Sequence, residues 1–296
     1  MLYARELVQS NLWSFKRRPS KGNRLAIPTQ LTSGTSFDGS PHISPDGRWV
    51  AFAKGDRSPA NIFLLPVEGG DERQLTFRKS MNACPAWSPS GDEVAFASDD
   101  GGAWRIWRAS LHGAPAKVIS RGGMAAAPGL SLVWAPGNRI VYQAPGGATL
   151  SVLDPGTGEE RHLLTPDSIA KVLSPQWSPR GDRIAFLRWL DPSRAGIWVL
   201  STADQSLARV YDGPPMYPIG WSSDARWIYA WDHGDREDRI VQIASDGSGQ
   251  RVVMELPRKG NLLNPVITPD GSRVVASIIT RQTDVWLVES FDRSSK

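Results

Sequence analysis

Short hydrophobic runs, separated by turn-forming residues, follow one another along almost the whole chain. Within them Val, Ile, Phe and Trp alternate with polar residues or form short continuous runs, and no 3.6-residue hydrophobic period is sustained. Gly, Pro, Asp and Ser cluster between the runs, as they do in tight turns. This pattern predicts an all-β protein built of many short antiparallel strands.

One motif recurs six times at nearly constant spacing. Its copies are ISPDGRWVAF (43–52), WSPSGDEVAF (87–96), WAPGNRIVY (134–142), WSPRGDRIAF (177–186), WSSDARWIYA (221–230) and ITPDGSRVVA (267–276). Between equivalent residues, from Ser44 to Thr268, the spacings are 44, 47, 43, 44 and 46 residues. Repeats of this length are typical of units that are stacked or arranged radially.

Each repeat predicts four short strands. In the second copy we place them at 84–88, 93–97, 104–109 and 116–119. The Ser-Pro-Asp-Gly stretch after the first strand favours a tight turn, because Pro fixes its own φ and Gly accepts a positive φ. Six such units predict a six-bladed β-propeller of four-stranded antiparallel blades, whose ring closure hides strand edges. Seven blades are the alternative.

Recurring tryptophans indicate faces packed between sheets. Trp87, Trp134, Trp177 and Trp221 end predicted first strands, and Trp13, Trp107, Trp198 and Trp286 lie in predicted third strands. Their regular recurrence is typical of core residues, so we interpret them as core and not as ligand-stacking groups.

The two ends of the chain resemble each other. Residues 11–15 (NLWSF) and 284–288 (DVWLV) both match a third strand, and 29–32 (TQLT) matches a fourth strand. We therefore expect strands from both termini in one sheet, with residues 1–32 completing the closing blade and 33–296 forming the repeats of a single domain. One third strand is then surplus. Three explanations are open for this strand: it forms part of a seventh blade, it displaces or flanks the Trp286 strand, or the chain is the latter part of a longer protein. We favour the longer protein, because LYAREL matches the end of a second strand whose beginning is absent.

The stretches WSPSGDEVAFASDD, IFLLPVEGGDERQLT and WSPRGDRIAFL resemble the TolB-type propeller repeat, a relative of WD-type repeats, over nearly the whole chain. The resemblance implies a bacterial propeller that binds a protein or peptide partner and, by analogy with TolB, a periplasmic location. TolB carries an additional α/β domain and an export signal, which this sequence lacks, so a cytoplasmic location is expected if the chain is complete. Similar propellers accompany hydrolases, kinases and winged-helix regulators, which keeps an accessory sensor domain as an alternative.

The sequence contains no recognisable catalytic signature. Gly-x-Ser-x-Gly, His-Glu-x-x-His, phosphate-binding loops and paired cysteines are all missing. The four histidines, at positions 42, 112, 162 and 233, fall in different predicted blades. We therefore predict a non-enzymatic protein without metal or cofactor. A carbohydrate or small-molecule sensor, or a lyase that uses the channel as oligogalacturonate lyases do, remains the alternative.

The net positive charge of the chain is concentrated near its N-terminus. The 296 residues carry a net charge of +4, but residues 1–24 alone contribute +5, so the remainder totals −1. A nucleic-acid-binding protein would spread basic residues along one face, so we expect no nucleic-acid partner. No hydrophobic run is long enough to span a bilayer, so membrane insertion is not expected either. A monomer, or a domain of a larger chain, is the predicted form.

Candidate binding residues follow from the loops. The connections from second to third strands and between blades share one face and differ in every copy, and variable loops on a rigid scaffold are where recognition usually lies. At the channel mouth we predict Asp38, His42, Asn82, Lys171, Tyr217 and Asn264. On the outer loops we predict Asp99, Asp191, Trp231 and His233.

Overall fold

The computed structural model describes residues 2–18, 24–55, 59–122, 131–144, 146–164, 171–189, 195–234, 237–257 and 259–287. These residues form six four-stranded antiparallel sheets, which confirms the predicted all-β propeller with six blades. No helix that is long and apolar enough to cross a membrane occurs in the described part of the chain.

Five blades follow the order of the chain. Blade 1 contains β3 (Asp38–Ile43), β4 (Trp49–Lys54), β5 (Asn61–Pro66) and β6 (Arg73–Gln74). Blade 2 contains β7 (Asn82–Trp87), β8 (Glu93–Ser98), β9 (Arg105–Ser110) and β10 (Lys117–Val118). Blade 3 contains β11 (Leu132–Ala135), β12 (Arg139–Gln143), β13 (Leu150–Leu153) and β14 (Glu160–His162).

The remaining blades complete the ring. Blade 4 contains β15 (Lys171–Trp177), β16 (Arg183–Trp189), β17 (Gly196–Ser201) and β18 (Leu207–Asp212). Blade 5 contains β19 (Tyr217–Trp221), β20 (Trp227–His233), β21 (Asp238–Ala244) and β22 (Gln250–Leu256). Blade 6 contains β23 (Asn261–Ile267) and β24 (Arg273–Leu287), followed by β1 (Leu2–Lys16) and β2 (Ile27–Gln30). The first strands of neighbouring blades contact one another all the way round, and β23 contacts β3.

Blade 6 joins the two ends of the chain. β1 pairs with β24 over fifteen residues, from Leu2 opposite Leu287 to Lys16 opposite Arg273, and β2 forms the outer edge beside β1. The expectation that strands from both termini share a sheet is confirmed. Two details of it are wrong: Trp286 lies in the second strand and not in a third, and LYAREL belongs to the third strand. The surplus third strand disappears because β1 and β24 continue side by side.

The core lies between the blades. On β1, Leu12 packs with blade 1 residues such as Phe52, whereas Phe15 points the other way and packs with blade 5 residues such as Met254. Both β1 residues are fully buried. The N-terminal strand is therefore held by hydrogen bonds along its length and by hydrophobic packing on both faces. The four first-strand tryptophans are also buried, as expected: Trp87, Trp134, Trp177 and Trp221.

The turn between first and second strands has the predicted chemistry. In blade 1 the Ser44 hydroxyl donates to Asp46 and accepts the backbone N–H of Trp49. Gly47 takes a φ of 72°, a conformation that favours glycine. Blade 5 repeats the arrangement with Ser222 and Asp224. In five of the six blades a Ser or Thr hydroxyl closes the hairpin by accepting the backbone N–H five residues further on. Blade 3 has Ala135 at this position.

These turn carboxylates make stability depend on pH. The Ser222 hydroxyl and the Arg226 backbone N–H lower the pKa of Asp224, and the Ser178 hydroxyl lowers the pKa of Asp182. A lowered folded-state pKa adds stability that is complete above the unfolded-state pKa, about 4, and is lost as pH falls through the folded-state value. We therefore expect the free energy of unfolding to decrease below about pH 4.

Urea unfolding at a series of pH values tests this dependence. The double variant with Ser178→Ala and Ser222→Ala is expected to show a shallower fall in free energy between about pH 4 and pH 2 than the wild type, because both carboxylates then titrate closer to their ordinary range. Equal slopes for the two proteins would contradict the assignment.

Candidate functional site

Five of the six first strands, all except that of blade 3, are bulged where they face the channel. In blade 1, Ser40 and Pro41 together oppose the single residue Phe52, because the register shifts between Gly39 and His42. Ser40 has a φ of 51°. This conformation is unusual for a residue other than glycine, and the proline that follows Ser40 restricts its backbone further. Blades 2, 4 and 6 repeat this conformation at Cys84, Ser174 and Asn264, each also followed by proline.

Repeated strain of this kind needs support from the surrounding fold. Bulges re-aim side chains and increase local twist, and residues in sparsely populated backbone conformations concentrate at functional sites. Ser40, Cys84, Ser174 and Asn264 all line the same central cavity. The bulges therefore fix which side chains face the channel.

The central cavity has a volume of about 920 Å³ and is lined by residues from all six first strands. That volume is within the range of small-molecule and peptide side-chain pockets. Its polar lining residues include Gln143, Lys171, Gln176, Asn261 and Asn264. No Asp, Glu or Arg is among the described residues that line it.

One wall of the cavity is aromatic. The rings of Tyr217 and Trp231 are 5.4 Å apart, and those of Trp231 and His233 are 5.0 Å apart, so we call these three residues the aromatic wall. Behind it lies Asp238, whose side chain is only 2% exposed. Its Oδ1 accepts hydrogen bonds from Trp231 Nε1 at 3.0 Å and pairs with His233 Nδ1 at 2.7 Å. Asp238 thus holds both rings in place and directs the other His233 nitrogen away from itself.

Lys171 and Tyr217 begin the first strands of blades 4 and 5. Lys171 is exposed and has no ion-pair partner among the described residues. Burial raises the pKa of the Tyr217 hydroxyl, so this group stays protonated at neutral pH and can donate a hydrogen bond.

The chain's other titratable groups on the channel are uncharged at neutral pH. Burial lowers the pKa of His42 to about 4, and Trp87 N–H donates to its Nδ1 at 3.5 Å, so the ring is neutral. Burial raises the pKa of Cys84 to about 11, which keeps the thiol protonated. Positive charge on the cavity lining is therefore confined to Lys171 and, when it is protonated, His233.

Six of the predicted binding residues line this cavity: His42, Lys171, Tyr217, Trp231, His233 and Asn264. Trp231 and His233, expected on outer loops, are instead the closing residues of β20 and belong to the channel. His233, which was predicted on an outer loop, therefore lines the same cavity as His42 although the two residues belong to different blades.

Asp38 and Asn82 lie elsewhere. Both are fully buried and neither lines the cavity. The backbone carbonyl of Asp38 accepts a hydrogen bond from Ser10 of blade 6, and Asn82 Nδ2 donates to the carbonyl of Ala60 in blade 1 at 2.7 Å. Burial raises the pKa of the Asp38 carboxyl. These two residues tie blades together, and we leave them out of the proposed binding surface.

Two outer-loop candidates complete the comparison. Asp99 accepts the backbone N–H of Met81 at 2.8 Å, which orders the entry to blade 2, and it does not line the cavity. Asp191 lies outside the described residues. Sequence reasoning missed Gln143, Gln176 and Asn261, which could have been found from their positions in or at the ends of inner strands. It also missed Asp238, whose bond to Trp231 has no sequence signal.

Within the described residues, no group of three or more His, Cys, Asp or Glu side chains could hold a metal ion. His42 and His233 line one cavity, but no carboxylate or further histidine joins them there. The chemistry available to the lining is hydrogen bonding, aromatic stacking and attraction of negative charge.

Comparison with known proteins identifies the repeat. A family model described as the TolB beta propeller domain matches residues 24–154. The repeats within this stretch are of the TolB type. No curated protein sequence matches the chain.

Solved structures share the fold of this propeller. A structure provisionally named TolB from Agrobacterium tumefaciens is 18% identical with a TM-score of 0.70, covering 92% of this chain and 99% of that one. TolB from Acinetobacter baumannii is 14% identical with a TM-score of 0.62, covering 90% and 63%. An oligogalacturonate lyase in complex with manganese is 13% identical with a TM-score of 0.61, covering 85% and 80%. At these identities the likeness concerns the fold alone.

Proposed function

We propose that this protein is a non-enzymatic scaffold that binds a segment of a protein or peptide at the mouth of its central channel. The observation that carries the proposal is the aromatic wall, placed at a cavity of about 920 Å³ on a rigid ring of six blades. Aromatic residues held in fixed positions are frequent anchors at protein interfaces, because they bury a large area at a small cost in conformational entropy.

The polar groups of the cavity favour a peptide. The side-chain amides of Gln176, Asn261 and Asn264 have no hydrogen-bond partner among the described residues. Each amide offers both a donor and an acceptor, which is the combination that peptide groups require. The match of residues 24–154 to the TolB beta propeller domain fits the same proposal, because the TolB-type resemblance implies a protein or peptide partner.

Selection from a random peptide library on the purified protein tests this function. We expect enriched peptides whose affinity falls about tenfold or more in Tyr217→Ala, because that change removes a ring from the aromatic wall. Phe77→Ala is the matched control: Phe77 is 78% exposed and lies on a different groove, so its removal should leave the affinity unchanged. Failure to enrich any peptide, or peptides that respond to Phe77 and not to Tyr217, would reject the proposal.

A further inference from the structure

The charges around the channel restrict what the aromatic wall can receive. No acidic side chain is among the described residues that line the cavity, whereas Lys171 and His233 both do. Lys171 has no acidic partner in the described part of the chain, so its charge is available to a ligand. Among the described residues, the cavity lining therefore offers the unpaired positive charge of Lys171 and no acidic side chain.

Asp238 pairs with His233 and offsets charge there, but it does not pair with Lys171. Its carboxylate is buried behind the wall, and both bonds to its Oδ1 come from ring nitrogens of the wall. In the imidazolium form of His233 both ring nitrogens are donors, so the nitrogen that does not face Asp238 can then donate to a ligand. His233 is half exposed, so that donor is accessible.

Three donors therefore line the same cavity. They are the ammonium group of Lys171, the hydroxyl of Tyr217 and the free ring nitrogen of His233. A carboxylate accepts several hydrogen bonds at once, and bonds between charged partners are stronger than neutral ones. A basic peptide would be repelled by Lys171, and no carboxylate among the described lining residues would offset that repulsion.

We propose that the channel mouth selects acidic peptide segments, with Lys171 and His233 binding a carboxylate while Tyr217 and Trp231 pack against a neighbouring apolar or aromatic side chain. Asp238 is a positioning residue that orients His233 and Trp231. This selectivity rests on the proposed function, since it names the chemistry of the peptide bound at the same site.

Isothermal titration calorimetry with three blocked peptides, in which Trp alternates with Glu, Gln or Lys, tests the selectivity at low ionic strength. We expect the Glu peptide to bind about tenfold more tightly than the Gln peptide, and the Lys peptide to bind most weakly. Lys171→Met should reduce the preference for Glu over Gln to about threefold or less, while the affinity for the Gln peptide stays unchanged. His233→Gln, which keeps a donor but not the charge, should act in the same direction.

Lys117→Met is the matched control, because Lys117 is exposed on the outer strand of blade 2. It should preserve the full preference for the Glu peptide.

Equal affinities for all three peptides would overturn acid selectivity and leave peptide binding intact, whereas binding of none of them, together with an empty library selection, would reject the proposed function itself. Trigalacturonate that displaces the Glu peptide at a lower concentration than the peptide's own dissociation constant would assign the carboxylate site to a sugar acid and overturn the peptide assignment.

Discussion

Replacing Phe15 with alanine is expected to lower the free energy of unfolding by about 3–5 kcal/mol. Phe15 is fully buried on β1 and packs in the cluster between blades 5 and 6, with Met254 and Val274. The loss has two parts: the favourable free energy of burying a large aromatic side chain is lost, and a cavity is left behind. The cavity remains because the rigid blades on both sides cannot move together to fill it. Urea unfolding followed by tryptophan fluorescence measures it.

Phe77→Ala provides the matched control for this prediction, because it deletes the same side chain from a position that is 78% exposed. We expect its effect to remain within about 0.5 kcal/mol. A loss below about 1 kcal/mol for Phe15→Ala would contradict the packing of the N-terminal strand inside the ring.

Replacing Arg273 with methionine is expected to cost about 2 kcal/mol. The Arg273 side chain is 8% exposed, and its Nη1 donates to the Ser14 hydroxyl at 2.7 Å, which joins β24 to β1. The same guanidinium contacts Glu68 of blade 1 at 2.5 Å. Removing the guanidinium leaves the buried Ser14 hydroxyl without this partner, and burial of an unsatisfied polar group is what destabilises the protein.

Two further variants separate these contacts by the same unfolding measurement. Glu68 is 71% exposed, so Glu68→Ala should cost about 0.5 kcal/mol or less, since exposed ion pairs contribute little. Arg226→Met, at an exposed arginine in the equivalent turn of blade 5, should have no measurable effect. An effect of Glu68→Ala as large as that of Arg273→Met would show that the ion pair, and not the bond to Ser14, stabilises the closing blade.

The fold was predictable from the repeat because each copy contains residues that mark its own strands and turns. Apolar alternation marks the strands, and the Ser-Pro-Asp-Gly turn fixes where the second strand begins. In blade 2 the predicted strands 84–88 and 93–97 differ from the observed Asn82–Trp87 and Glu93–Ser98 by one or two residues.

The closing blade was harder to predict because similarity to the repeat assigned the C-terminal segment to the wrong strand of the blade. DVWLV resembles a third strand, but residues 276–287 contain no Gly or Pro at which β24 could turn. The same is true of residues 2–16, which form β1. Two long segments without turn residues should pair with each other, and that signal outweighs the local resemblance.

The site was predictable only in part. Strand order placed Lys171, Tyr217 and Asn264 at the channel, since first strands line the centre of a propeller. Burial separated these residues from Asp38 and Asn82, which occupy equivalent strand starts but lie between blades. No sequence pattern encodes that difference, because it depends on how neighbouring blades and loops cover each strand end.

The pairing of β1 with β24 also bears on how the protein folds. Leu2 pairs with a residue 285 positions further along the chain, so the two strands cannot pair until all the intervening blades have been synthesised. Loop-closure entropy disfavours such distant contacts until local blades have formed, and folding slows as contacts become less local. We expect the five blades that follow chain order to assemble first and ring closure to be the late, rate-limiting event, before which the edge of β24 that later pairs with β1 is exposed.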